Sequence, residues 1–221
     1  MPDSRVRKPR RTADSRRRTP SQERSVELVA KLLEATAQVL GEVGLQATST
    51  NKIAARAGVA IGSIYQYFPN KQALIDALLD DRLHKLAALT ATQMQALSAT
   101  SYPEAAEAIL RAAIAFCEAE PELTALLAAR TAMPRPGSRD RELYQRGHDI
   151  AHTYLLAHAD DLAVSDVELA ATISTRVVAT FAPWIALSVT NVRDREQFIA
   201  EVVRMLSEWI GSGQQSAPVS G

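Results

Sequence analysis

The sequence is poor in the residues that mark many functions. One cysteine, Cys117, stands in 221 residues, so no intramolecular disulfide can form. Only nine glycines are present, and none falls in a G-x-G-x-x-G, a P-loop or a G-x-S-x-G nucleophile elbow. No acid–base or nucleophile pair takes their place, so neither an enzyme nor a cofactor is expected. Long apolar runs are also missing. The most apolar stretch, 173–189, is interrupted by Arg176, Pro183 and several hydroxyl residues, which is too short and too polar for a membrane span. The arginine-rich N-terminus has no apolar segment behind it and so does not read as a secretory signal. A soluble cytoplasmic chain is expected.

What is present favours helices. Ala, Leu and Glu are abundant, and 47% of the residues are hydrophobic, enough for a sizeable core. The net charge of zero conceals an asymmetry. Residues 1–24 hold nine Lys or Arg and three acids, a net +6, which leaves −6 on the rest. That split suggests a basic arm seeking a polyanion on a body that does not, or else a merely solvated tail. Residues 1–20 and 211–221 have too few large apolar side chains to offset the entropy of ordering, and disorder is expected in both.

Between these ends the apolar period is helical throughout, without strand-like alternation. A first helix over about 22–41 carries the stripe Val29, Leu32, Leu33, Thr36 and Leu40, and Gly44 suits a left-handed stop. A second, about 49–57, is capped by Thr48 or Ser49 and ends at Gly58. A short third helix, about 60–67, stops before Pro69. Asn70 caps a long fourth helix reaching about Leu97. Further helices fit about 103–119, 121–131 and 139–159, with a loop at 133–138. Ser165 and Glu168 suggest a capping box for an eighth helix to about 190, kinked near Pro183. A ninth runs from about Asp194 to Ile210.

Three of the 11 aromatic residues, Tyr65, Tyr67 and Phe68, crowd into ARAGVAIGSIYQYFPNK at 55–71. The second helix, the Ala57-Gly58-Val59 turn and the third helix form a helix-turn-helix, which lays its second helix in the major groove. Ile64 and Phe68, four apart, share a face that can hold the third helix inward. Ile61, Ser63, Tyr65, Gln66 and Tyr67 are left for other faces, and Gly62 removes a side chain where backbone would meet DNA. Lys71 opens the fourth helix, where the dipole disfavours a cation unless a phosphate joins it. With the two tyrosine hydroxyls it looks like a clamp on backbone phosphates.

The run GLQATSTNKIAARAGVAIGSIYQYFPNKQAL, residues 44–74, resembles the DNA-binding region of TetR-family transcriptional regulators. The resemblance rests on Thr48, Ile53-Ala54, the Ala-Gly-Val turn, Gly62, the Tyr65-x-Tyr67-Phe68 block, and Lys71 followed by Leu74. It covers about 22–80. It implies an all-α chain of about nine helices: a helix-turn-helix domain over 21–70 and a ligand-binding and dimerisation domain over 71–210. Thr50 and Asn51 would touch the DNA backbone. Ile61, Gly62 and Ser63 would face base edges, Tyr65, Tyr67 and Lys71 would hold phosphates, and Gln66 could reach either. Two departures matter. Ala60 stands where serine is commoner, which removes a cap. Ile61 replaces a commonly polar residue and would meet a thymine methyl. The resemblance further implies a repressor released by a small ligand from a double-stranded DNA operator. It also implies a homodimer built on the helices at about 165–190 and 194–210, and a pocket among the fourth to eighth helices.

Other features carry two readings each. Phe116, Cys117, Tyr154, Phe181 and Trp184 are pocket candidates or ordinary core. A reactive Cys117 would need a basic neighbour, and Glu118 and Glu120 are acidic. His148 and His152 could share a metal, yet no third ligand stands at suitable spacing. A helical ligand-binding or interaction protein that leaves DNA alone is the alternative, and the 44–74 block argues against it.

Overall fold

The structure, a computed structural model, describes residues 20–132 and 140–210. The arm before Pro20, the loop at 133–138 and the tail from 211 lie outside them. Among the described residues the long elements are nine α-helices: α1 (Pro20–Ala47), α2 (Thr50–Ala57), α3 (Ile61–Tyr65), α4 (Lys71–Ala96), α5 (Tyr102–Glu118), α6 (Pro121–Ala132), α7 (Asp140–Ala157), α8 (Val167–Ser188) and α9 (Val192–Ile210).

Three junctions differ from the expected ones in instructive ways, and a fourth decides between two alternatives. Gly44 breaks α1 with φ 72° and ψ 172°, an extended positive-φ conformation open only to glycine, instead of a left-handed stop. Helical turns continue beyond it to Ala47. The buried Thr48 holds this break, since its N–H and its hydroxyl both donate to Gly44 O, at 3.2 and 2.7 Å. Ser49 is therefore the cap of α2, accepting from Lys52 N at 3.3 Å. The third helix is shorter than 60–67, since Tyr67 and Phe68 both turn their N–H groups back to Ile64 O, at 3.0 and 2.9 Å. At α8 the cap is Asp166, which accepts from Leu169 N at 2.9 Å, and not Ser165. Glu168 points instead to His148 and His152 of α7, at 3.4 and 3.5 Å. Helix α8 runs through Pro183 to Ser188.

Leu32, Val39, Ile53, Ala57, Ile64, Phe68 and Leu74 pack α1, α2, α3 and the start of α4 around one core. A second cluster joins this unit to α6 through Leu40, Ile75, Leu78, Leu79 and Leu123. The larger body packs α5 against α8 and α9 through Leu110, Ile114, Ile185, Ile199 and Leu206. Helix α7 seats Tyr154 and Leu155 against Ala170 and Ala171 of α8. By length and composition α8 could cross a membrane. Here its alanine face, Ala170, Ala171 and Ala182, is buried against neighbouring helices, which approach closely because those side chains are small.

Candidate nucleic-acid interface and ligand cavity

The α2–α3 unit is rigid at its base and polar on its outer face. Gly58 takes the left-handed conformation at φ 63° and ψ 39°. Its N–H reaches Ala55 O at 3.2 Å, while Val59 N reaches Ala54 O at 3.0 Å, a doubly bonded stop to α2. Ile64 is fully buried and Phe68 nearly so, which pins α3 by one side. Ile61, Gly62, Tyr65, Gln66 and Tyr67 are exposed on the other sides, and Ser63 is half-buried. Tyr65 is the most open of the three aromatic residues at 53% exposure, and its hydroxyl lies 3.3 Å from that of Thr50. Asn51 is exposed beside it at the start of α2. The two helices thus present Thr50, Asn51, Tyr65 and their neighbours as one surface. Ala60 supplies no side-chain cap to α3, leaving the N–H groups at that end without a side-chain acceptor.

The cations of this unit are engaged within the protein. Lys52 Nζ donates to Ala47 O at 2.9 Å, and Arg56 forms a two-bond pair with Glu42 at 2.7 and 2.5 Å. Lys71 is half-buried, and its Nζ donates to Leu45 O at 3.3 Å. This contact was not legible in the sequence. The ammonium that burdens the N-terminus of α4 lies against the carbonyl-rich end of α1, where a cation is favoured. Its remaining N–H groups are the ones open to a phosphate.

The second site is a cavity of about 190 Å³ lined by residues of α4 to α9 and partly open to the surface. Leu83, Leu86, Ala87, Thr90 and Met94 of α4 form one wall, and large and small residues of α5 to α9 form the others. Cys117 and Tyr154 line it. Phe116, Phe181 and Trp184 do not. Phe116 takes the guanidinium of Arg82 over its ring at 3.6 Å. Trp184 is 42% exposed, with its ring edge-on to Phe181 at 6.2 Å and to Phe198 at 4.9 Å. Trp184 thus went to an outer face, Phe181 to the core beside it and Phe116 to a cation–π contact, since helical period alone does not say which neighbour a face meets.

Of the cavity's polar groups, Tyr102, Ser174 and Thr175 were missed by sequence reading. Tyr102 Oη and Ser174 Oγ are 3.1 Å apart, and Tyr154 Oη donates to Thr100 O at 2.8 Å. Burial pushes the Tyr102 hydroxyl up to about 12, against the pull of its bond to Ser174. Burial likewise raises the Cys117 thiol, which keeps it protonated and unreactive. The signal available was the hydroxyl run Thr172, Ser174 and Thr175 inside an apolar helix. His148 and His152 stack at 5.9 Å beside Glu168. No group of three or more potential metal ligands occurs among the described residues.

Residues 32–78 match the bacterial regulatory proteins of the tetR family, and residues 101–209 match the tetracyclin repressor-like C-terminal domain. The HTH-type transcriptional regulator BetI of Vibrio atlanticus (strain LGP32) is 34% identical over 80 residues, 36% of this chain and 40% of that protein. The chain therefore spans about 40% of the length of the curated relatives it matches. A TetR-family transcriptional regulator structure from Mesorhizobium loti MAFF303099 superposes with a TM-score of 0.65 at 18% identity, covering 85% of this chain and 98% of that one. The transcriptional regulator FadR from Bacillus subtilis, in complex with stearoyl-CoA, gives 0.63 at 18%, covering 80% and 96%. At such identity the likeness speaks for the fold alone.

Proposed function

Since the chain belongs to the TetR family of bacterial regulatory proteins, we propose that it is a sequence-specific DNA-binding transcriptional regulator acting in the cytoplasm, a homodimeric repressor that a small molecule releases from a palindromic operator. The observation that carries this reading is the outer face of α2 and α3. Three hydroxyls (Thr50, Tyr65, Tyr67), two amides (Asn51, Gln66) and an apolar side chain (Ile61) are displayed on a base whose other side is fully packed. Such a surface suits backbone contacts from the hydroxyls and Lys71, and base-edge contacts from Ile61, Gly62 and Ser63. Gly62 has open space where a side chain would stand, so backbone can come close to a groove there.

Two-fold pairing is supported by α8 and α9. Trp184, Leu187, Phe198, Met205 and Trp209 are each between 38% and 47% exposed, an apolar surface on two adjoining helices. A large exposed apolar patch of this kind marks an association site. Release by a ligand is supported by the reach of α4, whose Leu74 to Leu79 segment packs in the DNA-binding unit and whose Leu83 to Met94 segment walls the cavity. A ligand that favours one placement of α4 shifts the DNA-binding equilibrium by its differential affinity.

The test is selection of bound sequences from a random duplex pool, followed by an electrophoretic shift with the selected site. Enrichment of an inverted repeat, bound at low salt by a dimer, is the expected result. A protein that enriches nothing and shifts no duplex would instead be the DNA-independent ligand-binding protein.

A further inference from the structure

We propose that the molecule held in the α4–α9 cavity is an uncharged, largely apolar compound with a single hydroxyl or amide-like group, anchored on α8 by the hydroxyl of Thr175. The proposal rests on the reading of this chain as a ligand-responsive regulator and specifies the class of its ligand.

Two observations carry it. The first is the absence of charge. None of the described residues lining the cavity is Asp, Glu, Lys, Arg or His. A carboxylate or a phosphate there would lose its hydration with no cation to replace it, at a cost of many-fold in affinity. Arg82, the buried cation of α4, is already committed to Glu120 at 2.5 Å, to Phe116 O and to the Phe116 ring.

The second observation is that five hydroxyls of the wall, those of Thr90, Tyr102, Thr124, Tyr154 and Ser174, are hydrogen-bonded within the protein. Thr90 donates to Leu86 O at 3.0 Å, Thr124 to Cys117 O at 2.8 Å, Ser174 to Ala170 O at 2.8 Å and Tyr154 to Thr100 O at 2.8 Å. Thr175 breaks this pattern. Its Oγ1 is buried and has no hydrogen-bond partner. A buried hydroxyl without a partner is costly and marks a place where a further group completes the structure.

Thr175 stands on α8 in the cavity wall, so the oxygen of a ligand hydroxyl or amide can accept from its Oγ1. The volume fits a modest molecule, since an apolar cavity of about 150 Å³ holds benzene. On α7, Gly147 faces Thr175, where an added Cβ would come within 3.4 Å of Thr175 Cγ2, so any larger side chain at 147 fills the space beside the anchor.

The test uses four probes on the full chain without DNA at pH 7: 1-naphthol, naphthalene, 1-naphthoate and octanoyl-CoA, followed by isothermal titration and thermal shift. Saturable binding of 1-naphthol is expected, about tenfold tighter than naphthalene, with no saturable binding of the two anions. Thr175→Val should bring 1-naphthol down to the level of naphthalene, leave naphthalene unchanged and raise the melting temperature of the free protein. Gly147→Leu, which improves helix propensity, should abolish both and keep the helical circular dichroism. Tighter binding of either anion than of 1-naphthol would overturn the proposal. So would binding of no probe, or a Thr175→Val protein that keeps the preference for 1-naphthol. None of these titrations involves DNA, so they can fail while the regulator reading stands, and that reading fails separately if no duplex is shifted.

Discussion

Arg130 Nη2 donates to Asp80 Oδ1 at 2.6 Å, joining α6 to α4 where α4 leaves the DNA-binding unit and becomes a wall of the cavity. The same guanidinium reaches Asp76 O at 3.4 Å, and Leu127 and Ala128, just before it on α6, line the cavity. Side chains of this pair are 19% and 18% exposed, so the contact is little screened by solvent. Arg130→Met and Asp80→Asn are each expected to lower stability by about 1–3 kcal/mol. The double variant should lose less than the sum, as residues in contact do. Urea denaturation of the four proteins measures this. Additive losses would mean that α6 and α4 are not coupled here.

Tyr65 and Lys71 serve the DNA side. Tyr65→Phe removes a hydroxyl and keeps the ring, and should weaken binding about tenfold, equally on operator and random duplex, as loss of a backbone contact does. Lys71→Ala should reduce the slope of log affinity against log salt by about 1. Because Lys71 also ties α4 to Leu45 O, it should cost about 1 kcal/mol of stability. Deleting residues 1–19 should flatten the salt slope further without altering the fold. Titrations at two salt concentrations separate these effects, and an unchanged slope for Lys71→Ala would leave that lysine a structural tie alone.

Trp184 and Phe198 meet edge-on across α8 and α9, at 4.9 Å, while both remain open to solvent. Charging this surface with Trp184→Glu and Phe198→Glu should produce a folded monomer at micromolar concentration, because a stable two-fold interface buries above about 1,000 Å² and tolerates few charges at its centre. Sedimentation velocity of the two proteins decides it. A wild-type protein that sediments as a monomer would remove the interface.

Tyr102 sets an alkaline limit. Its hydroxyl is pushed from 10 up to about 12 in the folded protein, so above pH 10 the unfolded chain ionises while the folded one resists. Stability is therefore complete below pH 10 and falls as pH rises toward 12, by up to about 1.4 kcal/mol per pH unit. Denaturation midpoints from pH 8 to 11 should show the decline, and Tyr102→Phe should blunt it. An equally steep decline in that variant would place the effect elsewhere.

The helix-turn-helix was legible in the sequence because its determinants are local. Gly58 must reverse the chain at a positive φ, Asn70 and Ser49 cap the next turn within three residues, and Ile64 and Phe68 share a face by helical period alone. The nine helices follow for the same reason, since each is written in a short-range apolar repeat. What the tertiary structure decided depends on which faces meet. It put Trp184 on the outer surface, packed Phe181 against the core of α5, α8 and α9, and gave Phe116 to Arg82. Lys71 was placed on the end of α1, and Glu168 on His148 and His152. It also gathered Thr175, Gly147 and Tyr102 from three helices around one cavity. A periodic stripe fixes which side of a helix is apolar. The partner of that side is set by long-range packing of several helices at once, and no local run of residues encodes it.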